Sequence, residues 1–366
     1  MTATRVISRS AHWVRAIARH PANRGARLAA VRRAARWHLR TRGGGTTEAT
    51  VVVDGRTTLM AHPGQFSAVW TLYDGVHEWE EVGFCLDYLR PGDHFVDVGA
   101  NVGVFSALVG TRQPGVRITA VEPYPPVVAD LERNLALNDL DLTVVTDAVG
   151  AAPGQAVFEV LERDVLNRLA PGHGTGDGTG HGTGHDDGDV AHHGAHRIPV
   201  AVRTLDELVG DDPPALIKID VEGAELDVLR GAQALLAEQA PVLLFEHCGH
   251  GAAFGVSPAD MRRFLAELGY SIYLLDGHLT PWESDDLPDT PNVVATKDVA
   301  AVRARLASPG GAMVAAPVRV EVRYGDDDRV DARAWLPRRP VSAPGRRWAA
   351  ATLTGAMALI GTGAAY

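Results

Sequence analysis

The stretch from His94 to Ser106, HFVDVGANVGVFS, decides the fold. Phe95-Val96-Asp97-Val98 reads as a buried strand, Gly99 and Gly103 frame a turn, and a helix follows over 103–112. A strand that ends in glycines ahead of a helix presents backbone N–H groups at a positive helix end, with no side chain barring a ligand. A second apolar strand, Ile118 to Val121, ends on Glu122. An acidic residue at that point is placed to accept hydrogen bonds from a ribose diol. A nucleoside-containing cofactor is the first expectation.

The turn narrows the choice. In the dinucleotide fingerprint G-x-G-x-x-G, the second Gly lets a pyrophosphate approach the backbone. Asn101 stands at that position. A pyrophosphate is disfavoured, and a cofactor without phosphates, such as S-adenosylmethionine, fits better. The sequence VDVGANVG followed by VEP resembles the glycine-rich and acidic motifs of class I S-adenosylmethionine-dependent methyltransferases. A second block, LIKIDVEGAELDVLRGA from Leu216 to Ala232, sharpens the likeness. Together the two blocks resemble the FkbM family of methyltransferases, which implies O-methylation of natural products and sugars. Asn134 to Asn138, Asp147 to Gly150 and Val202 to Leu208 fit the same pattern in the expected order, and the likeness runs from about residue 75 to 297.

Cofactor contacts follow. Gly99, Ala100, Asn101 and Gly103 are expected against the methionine part, and Asp97 near its amino group, directly or through water. Glu122 is expected on the ribose, since a carboxylate accepts from two hydroxyls at once. Pro123 and Tyr124 border the adenine, and the resemblance puts Asp147-Ala148 at the adenine amino group.

Open α/β sheets bind ligands at the carboxyl ends of their strands. The fourth strand ends in Lys218-Ile219-Asp220-Val221-Glu222-Gly223, and its neighbour ends in Glu246-His247. Methyl transfer needs alignment and a base for the acceptor's proton. Asp220, Glu222 and His247 are the candidate catalytic residues, with His247 titrating near neutrality. Glu225 reads as a solvated or helix-dipole partner, and Thr204 and Asp206 as caps of a short helix. No C-x-x-C spacing occurs, and no metal ligand is assigned, although Asp220, Glu222 and Glu246 could gather around one ion.

Strands at 94–98, 116–121, 142–146, 215–219, 241–246 and 270–275 alternate with helices at 103–112, 125–138, 224–236 and 258–268, and Asn292 to Thr296 supplies a seventh strand. This alternation predicts an α/β fold, a Rossmann-like, mostly parallel seven-stranded sheet with helices on both faces. The resemblance adds that the last strand inserts antiparallel between the fifth and sixth. Residues 51–60 read as a hairpin around Asp54-Gly55, and His77 to Leu89 has helical spacing. The Gly/His-rich run 172–196 lies between two hairpin strands, Gln155–Leu161 and Arg197–Val202, and is expected to stay solvated.

Of 366 residues, 46% are hydrophobic and two are cysteines, Cys85 and Cys248. No disulfide framework is implied, which suggests a reducing, cytoplasmic setting. Residues 1–42 hold eleven Arg and no Asp or Glu, so a chain total of −10 leaves −21 on the remainder. The arm, with Val14, Ile17, Leu28, Val31 and Leu39, is compatible with helices lying on an anionic membrane surface, and the apolar end WAAATLTGAMALIGTGAAY with a weak anchor. No specific nucleic acid is expected. The organisation reads as a basic extension 1–47, a methyltransferase domain 48–297 and a C-terminal extension 298–366, both extensions flexible. The partner is a small-molecule hydroxyl acceptor. Two other readings stand beside this one: a catalytically inactive binding protein at a membrane surface, and a nicotinamide-dependent oxidoreductase.

Overall fold

Every residue of β3 (His94–Val98), β10 (Leu216–Ile219) and β13 (Asn292–Thr296) is buried. Strands with both faces covered carry apolar residues in sequence rather than alternating them with polar ones. These are interior strands of a seven-stranded sheet. The computed structural model describes residues 14–20, 23, 26–42, 47–76, 78–160, 167–170, 196–288, 292–308 and 320–324, together with the backbone of 317–319 and 328–335. The sheet runs β12 (Ser271–Leu274), β13, β11 (Val242–Glu246), β10, β3, β4 (Arg117–Val121), β5 (Thr143–Val145). β13 pairs antiparallel with both β11 and β12, and the pairs β11–β10, β10–β3, β3–β4 and β4–β5 are parallel. The expected insertion of the last strand is therefore present.

The two faces follow the period-2 rule of strands. Phe95, Leu216, Val242, Leu244 and Val294 join one core with Phe84, Leu86 and Leu108. Val96, Ile217, Leu243, Phe245 and Val293 join the other with Leu226, Leu229, Leu236, Met261 and Leu265. The helix expected over 224–236 is two helices, Glu225–Arg230 and Gln233–Glu238. Asp206 holds the second of them. It accepts from Ala234 N and Leu235 N at 3.0 and 2.8 Å, instead of capping its own helix. Thr204 does cap the helix Leu205–Val209, through a capping box with Glu207.

The excursion after β5 forms a second small sheet. β7 (Gly154–Val160) pairs antiparallel with β9 (His196–Arg203), flanked by β6 (Ala148–Val149) and β8 (Arg168–Leu169). The Gly/His-rich run falls almost entirely outside the described residues.

Both extensions enter the fold farther than expected. The helix Arg27–Thr41 buries Ala30, Arg33, Ala34 and Trp37. Arg33 donates to Leu72 O and Tyr73 O at 2.9 and 3.1 Å, because a buried guanidinium needs acceptors. The residues read as a membrane-facing stripe divide: Ile17 is buried and Val31 half-buried, whereas Val14, Leu28 and Leu39 are exposed. Beyond residue 298, the helix Val299–Ala307 buries Val302. β14 (Pro317–Tyr324) pairs antiparallel with β1 (Ala49–Val53), which forms the expected hairpin with β2 (Thr57–Ala61). No helix among the described residues is long and apolar enough to cross a membrane. The C-terminal apolar run lies outside them.

Candidate active site

Strand register builds the site. Val98 is level with Val121 on one side and Ile219 on the other, and Ile219 is level with Phe245. The next residues, Gly99, Glu122, Asp220 and Glu246, therefore form one row along the carboxyl edge of the sheet. Neighbouring strands lie about 4.8 Å apart, so the row brings three carboxylates together. It borders an open cleft of about 850 Å³, solvent at the mouth included.

The Gly-rich turn is pressed onto the fourth strand. A Cβ on Gly99 would lie 1.8 Å from the Asp220 carbonyl oxygen, and its φ is +76°. Asn101 also has positive φ, +50°, and its Oδ1 accepts from Val102 N at 2.7 Å. Asn adopts this backbone state more readily than most residues because its short side chain bonds locally.

The amides of this turn are already occupied. Gly99 N and Ala100 N donate to Val121 O, Asn101 N to Glu122 Oε2, Val102 N to the Asn101 side chain and Gly103 N to Ala100 O. The sequence suggested an open cradle of N–H groups; the structure closes it. None of these five amides is left to hold a pyrophosphate, which counts against the nicotinamide reading. Glu122 is 6% exposed, and its other oxygen accepts from Tyr124 N at 3.0 Å. Each carboxylate oxygen has two acceptor sites, so an oxygen that accepts one N–H can also accept from a hydroxyl.

Gly99, Ala100, Asn101, Glu122, Pro123, Ala148, Asp220 and Glu222 all line the cleft. Val149, Phe158 and Leu169 add an apolar wall. Five of the expected residues lie outside the cleft lining. Asp147 is half-buried and does not line the cleft. Gly103 caps the helix Val104–Arg112 from behind, against Leu131. Asp97 is fully buried under the turn, accepting from Ser106 Oγ at 2.7 Å, with Lys218 Nζ 3.7 Å from its Oδ1. Burial pushes the Asp97 carboxyl up, against the pull of Lys218. His247 is buried edge-on to Phe245 and lines a smaller second cleft with Glu225, Glu246, Cys248 and His250. Burial lowers its pKa. Tyr124 stacks on Phe158.

Glu225, read as solvated, is 5% exposed and accepts from Gly223 N and Val221 N at 3.0 and 3.3 Å. Burial pushes it up to about 7.

Three cleft or cleft-edge residues escaped the sequence reading. Lys218 is buried and donates to Asp220 Oδ2 at 3.2 Å. Burial opposes its charge, yet Asp220, Asp97 and Glu78 hold it above the ordinary lysine range. Its scarcity was a signal, for the chain has only two lysines. Glu78, at φ +50° just before the helix Trp79–Tyr88, also lines the cleft; it lies outside any motif and sixteen residues before β3, so tertiary packing alone brings it there. His250 places Nδ1 2.7 Å from Glu222 Oε2 and 3.4 Å from Glu246 Oε2. The histidine that meets the carboxylates at this edge is therefore His250 rather than the candidate His247.

Among the described residues lining the cleft, four carboxylates (Glu78, Glu122, Asp220, Glu222) face one amine, Lys218. Such a site favours a cation and disfavours a diphosphate.

A model of the methyltransferase FkbM domain matches residues 97–272. The matched segment, just under half of the chain, is similar to that family. The family's cofactor is S-adenosylmethionine, and the residues fit it: an apolar wall for a base, Glu122 for a diol, and surplus negative charge for a sulfonium and an ammonium. The chain is 32% identical to AMB antimetabolite synthetase AmbE of Pseudomonas aeruginosa, over 43% of this chain and 8% of that protein. It is 30% identical to Methyltransferase 1 of Beauveria bassiana, covering 43% of this chain and 66% of that one. It is also 30% identical to 31-O-demethyl-FK506 methyltransferase FkbM of Streptomyces tacrolimicus, covering 40% and 61%. The matched part thus spans less than two thirds of each of these relatives.

Proposed function

We propose that this protein transfers a methyl group from S-adenosylmethionine to a hydroxyl of a small molecule. The observation that carries this reading is the acidic cleft at the carboxyl ends of β3, β4 and β10, whose turn amides are occupied internally. The relative that acts on 31-O-demethyl-FK506 supports an oxygen acceptor.

Bound there, the cofactor supplies a methyl carbon activated by its sulfonium. The protein's part is alignment and proton removal. Glu122 holds the ribose hydroxyls, Pro123, Ala148, Val149 and Phe158 flank the base, and Gly99 to Asn101 with Glu78 face the amino-acid end. Asp220 is the base. It lines the cleft with its side chain 26% exposed, and Lys218 donates to its Oδ2 at 3.2 Å, which fixes the carboxylate at the cleft wall. Asp220 would take the proton of an acceptor hydroxyl whose oxygen receives the methyl group, the cofactor leaving as its neutral thioether.

Calorimetric titration with S-adenosylmethionine, followed by mass detection of methylated products from a panel of hydroxylated small molecules, tests the reading. Asp220→Asn should lower turnover by roughly 10²–10⁴-fold, the range for general-base catalysis, with cofactor affinity retained. His247→Ala should change turnover only a few-fold. The opposite order would move the proton to His247, and absence of cofactor binding would remove the proposal.

A further inference from the structure

At the outer end of the same carboxyl edge, four donor-bearing side chains converge. Glu246 ends β11, and Cys248 and His250 follow at two-residue intervals. One donor atom from each of Glu246, Cys248 and His250 lies within 4.8 Å of the others, and the same holds for Asp220, Glu222 and Glu246. Glu246 belongs to both groups.

The approach is built by backbone contact. A Cβ on Gly223 would lie 2.7 Å from His250 O and 2.8 Å from the Phe254 ring. The turn after β10 therefore rests directly on the 3-10 turn His250–Phe254, which fixes Glu222 against His250.

Two donor atoms at the centre lack hydrogen bonds. His250 Nδ1 and Glu246 Oε2 are both buried and have no hydrogen-bond partner among the described residues. His250 Nδ1 and Glu222 Oε2 nonetheless approach to 2.7 Å, the distance of an ion pair. Atoms this close are held either by a proton shared between them or by a cation at their common focus. Ligand atoms around a tetrahedral metal at about 2.0–2.1 Å stand roughly 3.3 Å apart, and around an octahedral one roughly 2.9 Å. The separations of 2.7 and 3.4 Å from His250 Nδ1 to the two carboxylates bracket those values.

We propose that Glu222, Glu246 and His250 bind a divalent transition-metal ion of the zinc class, with Cys248 in reach as a fourth donor. An imidazole and a thiol select zinc-like ions over magnesium and calcium, which prefer oxygen alone. Glu222 lines the cofactor cleft, while Glu246 and His250 line the second cleft. The ion would sit where the two meet, and as a Lewis acid it would acidify a hydroxyl bound to it. That role rests on the methyl-transfer reading; the binding site does not.

The test is calorimetric titration of the full chain, stripped with chelator, using Zn²⁺ and separately Mg²⁺. The wild type should show one tight Zn²⁺ site and weak Mg²⁺ binding. His250→Ala and Glu246→Gln should each weaken that site by at least the roughly 10–100-fold typical of losing even an outer-shell partner. Weaker sites contributed by His173, His181, His185, His192 and His193 should persist in both variants. Metal-free melting checks folding, and the isosteric Glu246→Gln decides the matter if His250→Ala does not fold. Unchanged Zn²⁺ binding in Glu246→Gln, or a wild type without a tight site, overturns the proposal. Titration with S-adenosylmethionine, run alongside, separates the two readings. Cofactor binding without tight Zn²⁺ removes only the ion site, and the converse removes only the methyl-transfer reading.

Discussion

Glu122 is the residue whose replacement separates a cofactor contact from a structural one. Its two oxygens each accept a backbone N–H, from Asn101 at 3.1 Å and from Tyr124 at 3.0 Å, and the residue is 6% exposed. Hydrogen bonds to a charged partner contribute roughly 1.5–3 kcal/mol each. Glu122→Ala removes both acceptors, so it should cost about 3–6 kcal/mol, and water entering from the open cleft draws the figure toward the lower end. Against a total stability of about 5–15 kcal/mol, that is a severe loss. Glu122→Gln keeps one carbonyl acceptor and turns an amide NH₂ toward the other donor. Its cost should be about half, with the turn still formed. Urea unfolding without cofactor measures both, at unchanged m. The folded Gln variant then reports the ribose contact alone, by calorimetry with S-adenosylmethionine. An Ala variant as stable as wild type would refute the anchoring role. A Gln variant with undiminished cofactor affinity would remove Glu122 from the ribose.

Other outcomes follow from the same neighbourhood. Lys218→Met leaves Asp97 buried without its cation and should cost about 3–5 kcal/mol near pH 8. Because burial already raises the Asp97 carboxyl, the loss should shrink as pH falls and that group takes up a proton; urea midpoints that show a pH-independent loss would contradict the pairing. Glu225 is raised from 4.5 to about 7 by burial, so the native state holds its proton more tightly than the unfolded chain does. Its contribution to stability is complete below about 4.5 and is lost as pH rises to about 7, a change of about 3 kcal/mol. Glu225→Gln should abolish that dependence and be more stable than wild type at pH 8; parallel stability–pH curves would sink the assignment. Gly99→Ala drives a methyl into the Asp220 carbonyl at positive φ and should cost roughly 2–5 kcal/mol; a melting temperature within 2 °C of wild type, about what a loss under 1 kcal/mol produces, would show that the turn can withdraw.

The sheet was legible in the sequence because strand and helix periodicities are local. HFVDV, LIKID and NVVAT are apolar runs whose neighbours in sequence already mark them as interior strands, and the glycines of VDVGANVG place the cleft at their ends. Glu122, Asp220 and Glu222 could be assigned to that edge for the same reason, since a residue one step past a strand end must lie there. What periodicity cannot carry is distance between loops. His247 and His250 differ by three residues and look equally plausible as bases, yet the turn at Gly249 and the contact of Gly223 with His250 bring only His250 to Glu222. Glu78 enters the cleft from a helix packed across the sheet, and Lys218 finds Asp97 because parallel register sets them side by side. One residue of the basic arm illustrates the same point. Eleven arginines without an acid suggest an anionic surface, but one of them, Arg33, turns inward and donates to the Leu72 and Tyr73 carbonyls, acceptors some forty residues away. Sequence therefore determined the elements and the edge where chemistry happens. Tertiary structure alone decided which charges meet there, because pairing of charges depends on packing between segments that carry no local record of one another.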